Sequence, residues 1–144
     1  FRAAARLLEG QRDIPTRLWV APPTKMDAAE LTKEGHYGTF GAAGARLEMP
    51  GCSLCMGNQA QVREGATVMS TSTRNFPNRL GRNSNVYLGS AELAAICSRL
   101  GRIPTREEYL ADIGVIDEHG AEIYRYMNFD QIEEYQEKAE EAVA

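Results

Sequence analysis

The chain has 144 residues, 43% of them hydrophobic and 25% charged, and a formal net charge of −4. No apolar run approaches the roughly 18 residues of a bilayer-spanning helix, and the acidic balance speaks against a large phosphate-binding surface. Three cysteines, an odd number with two close together, speak against a disulfide framework and point to a reducing, cytoplasmic compartment.

In chain order, the pattern predicts a helix over about residues 1–9, a strand near Arg17–Ala21, a helix near Met26–Glu34 and a strand near Ala45–Met49. Trp19 lies in the first strand and is expected to be a buried core aromatic. His36 and His119 each sit beside glycine and are read as surface or turn histidines.

The second strand runs into Pro50-Gly51-Cys52-Ser53-Leu54-Cys55-Met56-Gly57-Asn58. Two cysteines separated by two residues in a glycine-flanked turn can point both sulfurs at one centre. The same pair is compatible with a metal or cluster site, a thioredoxin-like redox couple, half of a zinc site, a disulfide or two inert thiols. The redox couple would require the first cysteine to open a helix, and Met56-Gly57-Asn58 is a poor helix start. A zinc site would need a second close ligand pair, which Cys97, His36 and His119 do not form in sequence.

A third strand near Thr67–Met69 leads into Ser70-Thr71-Ser72-Thr73-Arg74-Asn75-Phe76-Pro77-Asn78-Arg79. Arginine's planar fork binds carboxylates bidentately, and Arg74 and Arg79, in a segment broken by Pro77, suit a di- or tricarboxylate. A strand that ends in polar residues and arginines is where an α/β protein places a binding site. A fourth strand near Val86–Leu88 precedes a helix over Ala91–Leu100, closed by Gly101 and Pro104, with Cys97 as a small core residue. The pattern is α/β: a parallel sheet with flanking helices, with both loops at one sheet edge.

Beyond Gly101 the chain turns helical. Pro104-Thr105-Arg106-Glu107-Glu108 starts one helix, and a last amphipathic helix is expected from Asn128 to Lys138. There Asp130 would serve as cap, Ile132 and Tyr135 would lie on the buried face, and Glu133, Glu134, Glu137, Glu140 and Glu141 would form a solvated face. Tyr124, Tyr126 and Phe129 are expected to be packing anchors.

Three segments together, Pro15-Thr16-Arg17-Leu18-Trp19-Val20-Ala21-Pro22-Pro23-Thr24, Pro50 to Gln59 and Ser70 to Leu80, resemble the aconitase and isopropylmalate dehydratase superfamily, most closely its bacterial B-type aconitate hydratases. The resemblance spans nearly the whole chain. It implies an aconitase-type catalytic domain, of which residues 1–101 are the C-terminal part carrying cluster and substrate loops. Residues 102–144 would be a helical extension packed on the same domain.

The resemblance further implies a 4Fe–4S cluster held by three cysteines, with one iron left open as a Lewis acid. Cys52 and Cys55 match two ligands, and the third is expected upstream of Phe1, in a longer polypeptide of which this chain is the C-terminal fragment. By itself the fragment is expected to be inactive. Arg74 and Arg79 match arginines that bind substrate carboxylates, Asn75 belongs to the same motif, and Thr73 stands where the wider family commonly has asparagine. The implied reaction is dehydration and rehydration, interconverting citrate and isocitrate through cis-aconitate, with 2-methylisocitrate as a further substrate. The family's base is a serine on a separate domain, so no catalytic base is assigned to this chain. An isopropylmalate-type dehydratase is the alternative within the enzyme class. An RNA-binding role of the cluster-free form is the alternative outside it, through Arg74, Arg79, Arg82, Arg99, Arg102 and Arg106. The cysteines are expected to be free thiols in a loop.

Overall fold

The computed structural model describes residues 1–52 and 54–136. The first helix, α1 (Arg2–Leu7), is followed by strand β1 (Trp19–Val20), helices α2 (Lys25–Lys33) and α3 (His36–Ala42), and strand β2 (Arg46–Leu47). A 3-10 turn at Leu54–Met56 precedes strands β3 (Thr67–Ser70) and β4 (Asn85–Leu88). Helices α4 (Ala91–Leu100), α5 (Arg106–Glu118) and α6 (Gly120–Ile123) and a 3-10 turn at Phe129–Gln131 follow, and the backbone is again helical over residues 133–136, within the span expected for the last helix.

Helix ends follow local chemistry. Thr24 opens α2 by accepting from the Asp27 amide, and Ser90 opens α4 by accepting from Leu93 N at 3.2 Å. Thr105 and Glu108 form a reciprocal capping box at α5, with Thr105 N donating to Glu108 Oε2 at 2.7 Å and Glu108 N to Thr105 Oγ1 at 3.3 Å. Gly101, at φ 73°, ends α4 in the left-handed conformation that glycine adopts without strain.

The core joins the first and fourth helices. Ala5 and Leu8, Val20 of β1, Phe40 and Ala43 at α3, and Ala95 of α4 form one buried cluster, and Phe1 packs edge-to-face on Phe40 at 6.5 Å. Helix α3 has no counterpart in the sequence reading, because Gly38 and Gly41 make it a poor helix by propensity. It forms where Gly35, at φ 82°, turns the chain out of α2 and aims Phe40 into this core.

The parallel α/β pattern is present, with one correction to its layout. The strands make two separate two-stranded parallel sheets, β1 with β2 (Trp19 opposite Arg46) and β3 with β4 (Thr67 opposite Asn85), rather than one four-stranded sheet. The first two strands are also shorter than expected, because Pro22 and Pro23 follow β1 and Pro50 follows β2, and proline cannot donate to a ladder. Trp19 is half-buried rather than fully buried. His36 opens α3 instead of sitting in a turn, whereas His119 lies at the break between α5 and α6.

The C-terminal segment is tied to the first helices by polar contacts. Arg2 binds both oxygens of Glu34 at 2.7 Å, Arg125 reaches Glu34 Oε1 at 3.0 Å, and Lys33 reaches Glu134 at 2.8 Å. Asp130 lies in a 3-10 turn instead of capping a helix, and Ile132 and Tyr135 are half-buried, with Tyr135 edge-on to Phe129 at 5.4 Å. Tyr124 and Tyr126 are exposed, Tyr126 at 88%, so neither is the expected packing anchor; the Tyr124 hydroxyl donates to Glu92 at 2.6 Å. Glu137, Glu140 and Glu141 lie outside the described residues.

Candidate functional site

The two loops singled out in the sequence leave different sheets and meet. The cysteine loop leaves β2 and is held to the β1 side by Gly51 N donating to Pro22 O at 2.9 Å. Its 3-10 turn brings Cys52 and Cys55 to a Cα separation of 5.6 Å with their sulfurs joined as a disulfide. That replaces the free thiols expected from the sequence. The turn brings the two sulfurs together, the closeness that would let two thiolates share a metal.

Cys52 is exposed and Cys55 half-buried, whereas Cys97 is buried in α4 and free, its thiol pushed up by burial. The core role expected for Cys97 therefore stands. Among the described residues, no group of three or more His, Cys, Asp and Glu side chains is placed to hold a metal. The Cys52–Cys55 pair, once reduced, has the donor chemistry of two positions of a cysteine-held cluster.

The arginine loop leaves β3 through Ser70, whose Oγ accepts from Ser72 N at 3.2 Å. Thr73 and Arg74 project into solvent, and Arg74 Nη1 touches Met56 Sδ of the cysteine loop at 3.5 Å. The Asn75 amide donates to Val86 O at 2.9 Å, bracing the loop on β4 beside an open groove of about 470 Å³ that Phe76, Pro77 and Tyr87 also line. Arg79 differs from Arg74 in every respect. It is 2% exposed, donates through Nη1 to the Cys55 carbonyl oxygen and through Nη2 to Ser70 Oγ at 3.1 Å, and leaves its buried Nε without a partner. Burial pushes its guanidinium down from the ordinary arginine value.

Backbone contact seals the junction. Gly57 is buried at φ +70°, and a Cβ there would overlap the Arg79 carbonyl oxygen. The two loops thus meet, with the buried Arg79 guanidinium on the Cys55 carbonyl and the exposed Arg74 guanidinium on Met56. The sequence reading identified the cysteines and arginines but assigned no role to Ser70, Met56 or Gly57. Gly57 carried the one usable signal, a glycine two residues after the second cysteine.

Of the six arginines considered for a phosphate-binding patch, Arg74 and Arg106 are exposed, and the other four are paired or buried. Arg82 pairs with Glu64 at 3.5 Å, Arg102 with Glu108 at 2.5 Å and Arg99 with Asp112, while Arg79 is buried. Neutralised in this way, they offer little to a phosphate backbone, and an RNA-binding role finds no support. No helix among the described residues is long and apolar enough to cross a membrane.

Residues 1–101 match the model of the aconitase family (aconitate hydratase). The chain is 64% identical over 143 residues to aconitate hydratase B of Pseudomonas aeruginosa and 61% identical over 141 residues to that of Salmonella typhimurium, covering 99% and 97% of this chain. A more distant likeness, 39% over 111 residues and 75% of the chain, is to a 3-isopropylmalate dehydratase large subunit of Deinococcus radiodurans, of which it covers 26%. The chain spans about 16% of the length of the two B-type relatives.

Proposed function

The chain belongs to the aconitase family, and from that premise we propose that it supplies the cysteine and arginine loops of a B-type hydro-lyase that interconverts citrate and isocitrate through cis-aconitate. The observation that carries this reading is the convergence of the CxxC loop and the arginine loop, Arg79 on the Cys55 carbonyl and Arg74 on Met56. The B-type relatives, at 57–64% identity against 38–39% for the isopropylmalate dehydratase and homoaconitase relatives, favour the six-carbon tricarboxylates. 2-Methylisocitrate is a further substrate of the same site, and the whole enzyme is a cytoplasmic member of the tricarboxylic acid cycle.

In this reading Cys52 and Cys55, as thiolates, are two ligands of a 4Fe–4S cluster whose third cysteine comes from elsewhere in a longer polypeptide. When bound, the cluster supplies an open Lewis-acidic iron. The residues of this chain orient the substrate. Arg74 presents its exposed fork to one carboxylate, and Arg79 adds a fixed positive charge behind it, undiluted by water. Asn75, already braced on Val86, keeps one amide hydrogen and its carbonyl oxygen for the substrate, and the Thr73 hydroxyl offers one donor. With one carboxylate held by Arg74 and the loop polar groups beside it, one face of the substrate carbon skeleton is presented to a base contributed from outside this chain. Residues 1–101 carry these loops, and residues 102–144 form the C-terminal extension, whose Arg125 and Glu134 reach Glu34 and Lys33 at the end of α2.

The test is anaerobic iron and sulfide reconstitution of the longer protein that contains these residues, followed by steady-state kinetics on citrate, isocitrate and isopropylmalate. Citrate and isocitrate should turn over. Arg74→Lys should raise KM about tenfold to a hundredfold, the range for losing a charge-assisted fork. Preferential turnover of isopropylmalate would overturn the assignment.

A further inference from the structure

We propose that Arg79 is a positioning residue for Cys55: anchored on Ser70, its guanidinium holds the Cys55 carbonyl and thereby sets how closely the Cys52 and Cys55 sulfurs are presented to each other. Three observations carry this. Arg79 is buried, and its two engaged donors go to the cysteine loop and to the end of β3, not to solvent. Ser70 Oγ, the anchor, is itself fixed by Ser72 N at 3.2 Å. Gly57, two residues beyond Cys55, lies so close to the Arg79 backbone that no side chain fits there, so the cysteine loop has one seat.

The chemical consequence is specific. A carbonyl pinned by a charged donor fixes the Cys55 peptide plane, and with it the direction of the Cys55 Cα–Cβ bond. Without the clamp the Cys55 carbonyl loses its charged donor, and the 3-10 turn at Leu54–Met56 relies more on its own hydrogen bonds, which are of poorer geometry than those of an α-helix. The two sulfurs then meet less often. For its meaning in catalysis the inference rests on the reading of these cysteines as cluster ligands, but its test does not.

The test follows the pair itself. The chain is equilibrated with glutathione redox buffers, in which two glutathione thiols reduce the Cys52–Cys55 disulfide to two cysteine thiols and become one glutathione disulfide. The oxidised fraction is read by alkylation and peptide mass spectrometry, which keeps Cys97 separate. Arg79→Gln should lower the equilibrium constant for forming the disulfide by about threefold to tenfold, the effect of one lost hydrogen bond, and Ser70→Ala should lower it in the same direction. Arg82→Gln, which removes a charge from the same loop without touching the cysteines, should leave it within twofold. Far-UV circular dichroism confirms that each variant is folded; where Arg79→Gln is not, Ser70→Ala decides. An unchanged equilibrium in the folded variants, or an equal shift in Arg82→Gln, would overturn the proposal. Failure of the longer protein to bind a cluster or turn over citrate would sink the functional reading and leave this result standing.

Discussion

Glu34 is the place where the first helix, the α2–α3 junction and the C-terminal segment are tied together, so its removal is a sharp perturbation. Arg2 holds both carboxylate oxygens at 2.7 Å, Arg125 reaches Oε1 at 3.0 Å, and His36 Nε2 lies 3.1 Å from Oε2. The side chain is 19% exposed and Arg2 12%, so water screens the pair only in part. The Arg2 guanidinium, with Arg125 behind it, holds the Glu34 carboxyl down at about 2 against an ordinary 4.5. At about 1.4 kcal/mol per pH unit, that ties at most about 3 kcal/mol of folding free energy to its ionisation. Because Gln keeps an acceptor for Arg2, Glu34→Gln should cost about 1–3 kcal/mol at pH 7.

The sign follows from linkage. With its carboxyl depressed in the folded state, Glu34 contributes fully above about 4.5, and the contribution is lost as pH falls towards about 2. Burial also holds His36 below its ordinary 6.5, the nearby Glu34 only partly opposing it, so protonation of the unfolded chain drains further stability as pH falls below 6.5. Urea unfolding followed by circular dichroism, repeated from pH 7 down to the lowest pH at which the chain stays folded, measures both. The gap between the wild type and Glu34→Gln should narrow steadily below pH 4.5. A gap that stays constant across that range, or one under about 0.5 kcal/mol at pH 7, would refute the reasoning.

Other consequences are equally direct. Gly57→Ala should destabilise the chain by at least about 2 kcal/mol in urea unfolding, since a left-handed backbone costs about 1–2 kcal/mol for a non-glycine residue and the new methyl group meets the Arg79 carbonyl; a neutral result would show that the two loops are not in contact. Ser90→Ala removes the acceptor for Leu93 N and should cost about 1 kcal/mol by the same assay, with Ser90→Asp restoring most of it. Under reducing conditions iodoacetamide should label Cys52 first and Cys55 next, while Cys97 should react only after unfolding; fast labelling of Cys97 in the folded chain would contradict its burial in α4.

Local signals in the chain were strong wherever they were also sufficient. Ser90 and Gly101 bracket α4, Thr105 and Glu108 open α5, and the β-prone run at Thr67 leads into β3, all as the residue types require. The expectations that failed depended on distant partners. Helix α3 exists because Phe40 reaches a core built from α1 and α4, and propensity alone argues against it. Trp19 stays half-buried, and Tyr126 is exposed although its aromatic character suggested an anchor. Whether one parallel sheet or two would form was equally invisible, since pairing joins strands far apart in the chain and any parallel partner satisfies the same apolar pattern.

The candidate site divides along the same line. Sequence by itself determined which chemistry is present: two cysteines two residues apart, two arginines in a polar loop and the family to which their motifs belong, because residue identity and short spacing are properties of the chain alone. Only the tertiary structure decided what each arginine does. Arg74 and Arg79 are five positions apart and indistinguishable by type, yet one is open to solvent and the other is buried between Cys55 and Ser70. That difference arises because β2 and β3 deliver their loops from different sheets to one point, and burial, hydrogen-bond partners and the local dielectric are set there by neighbours that no stretch of sequence contains.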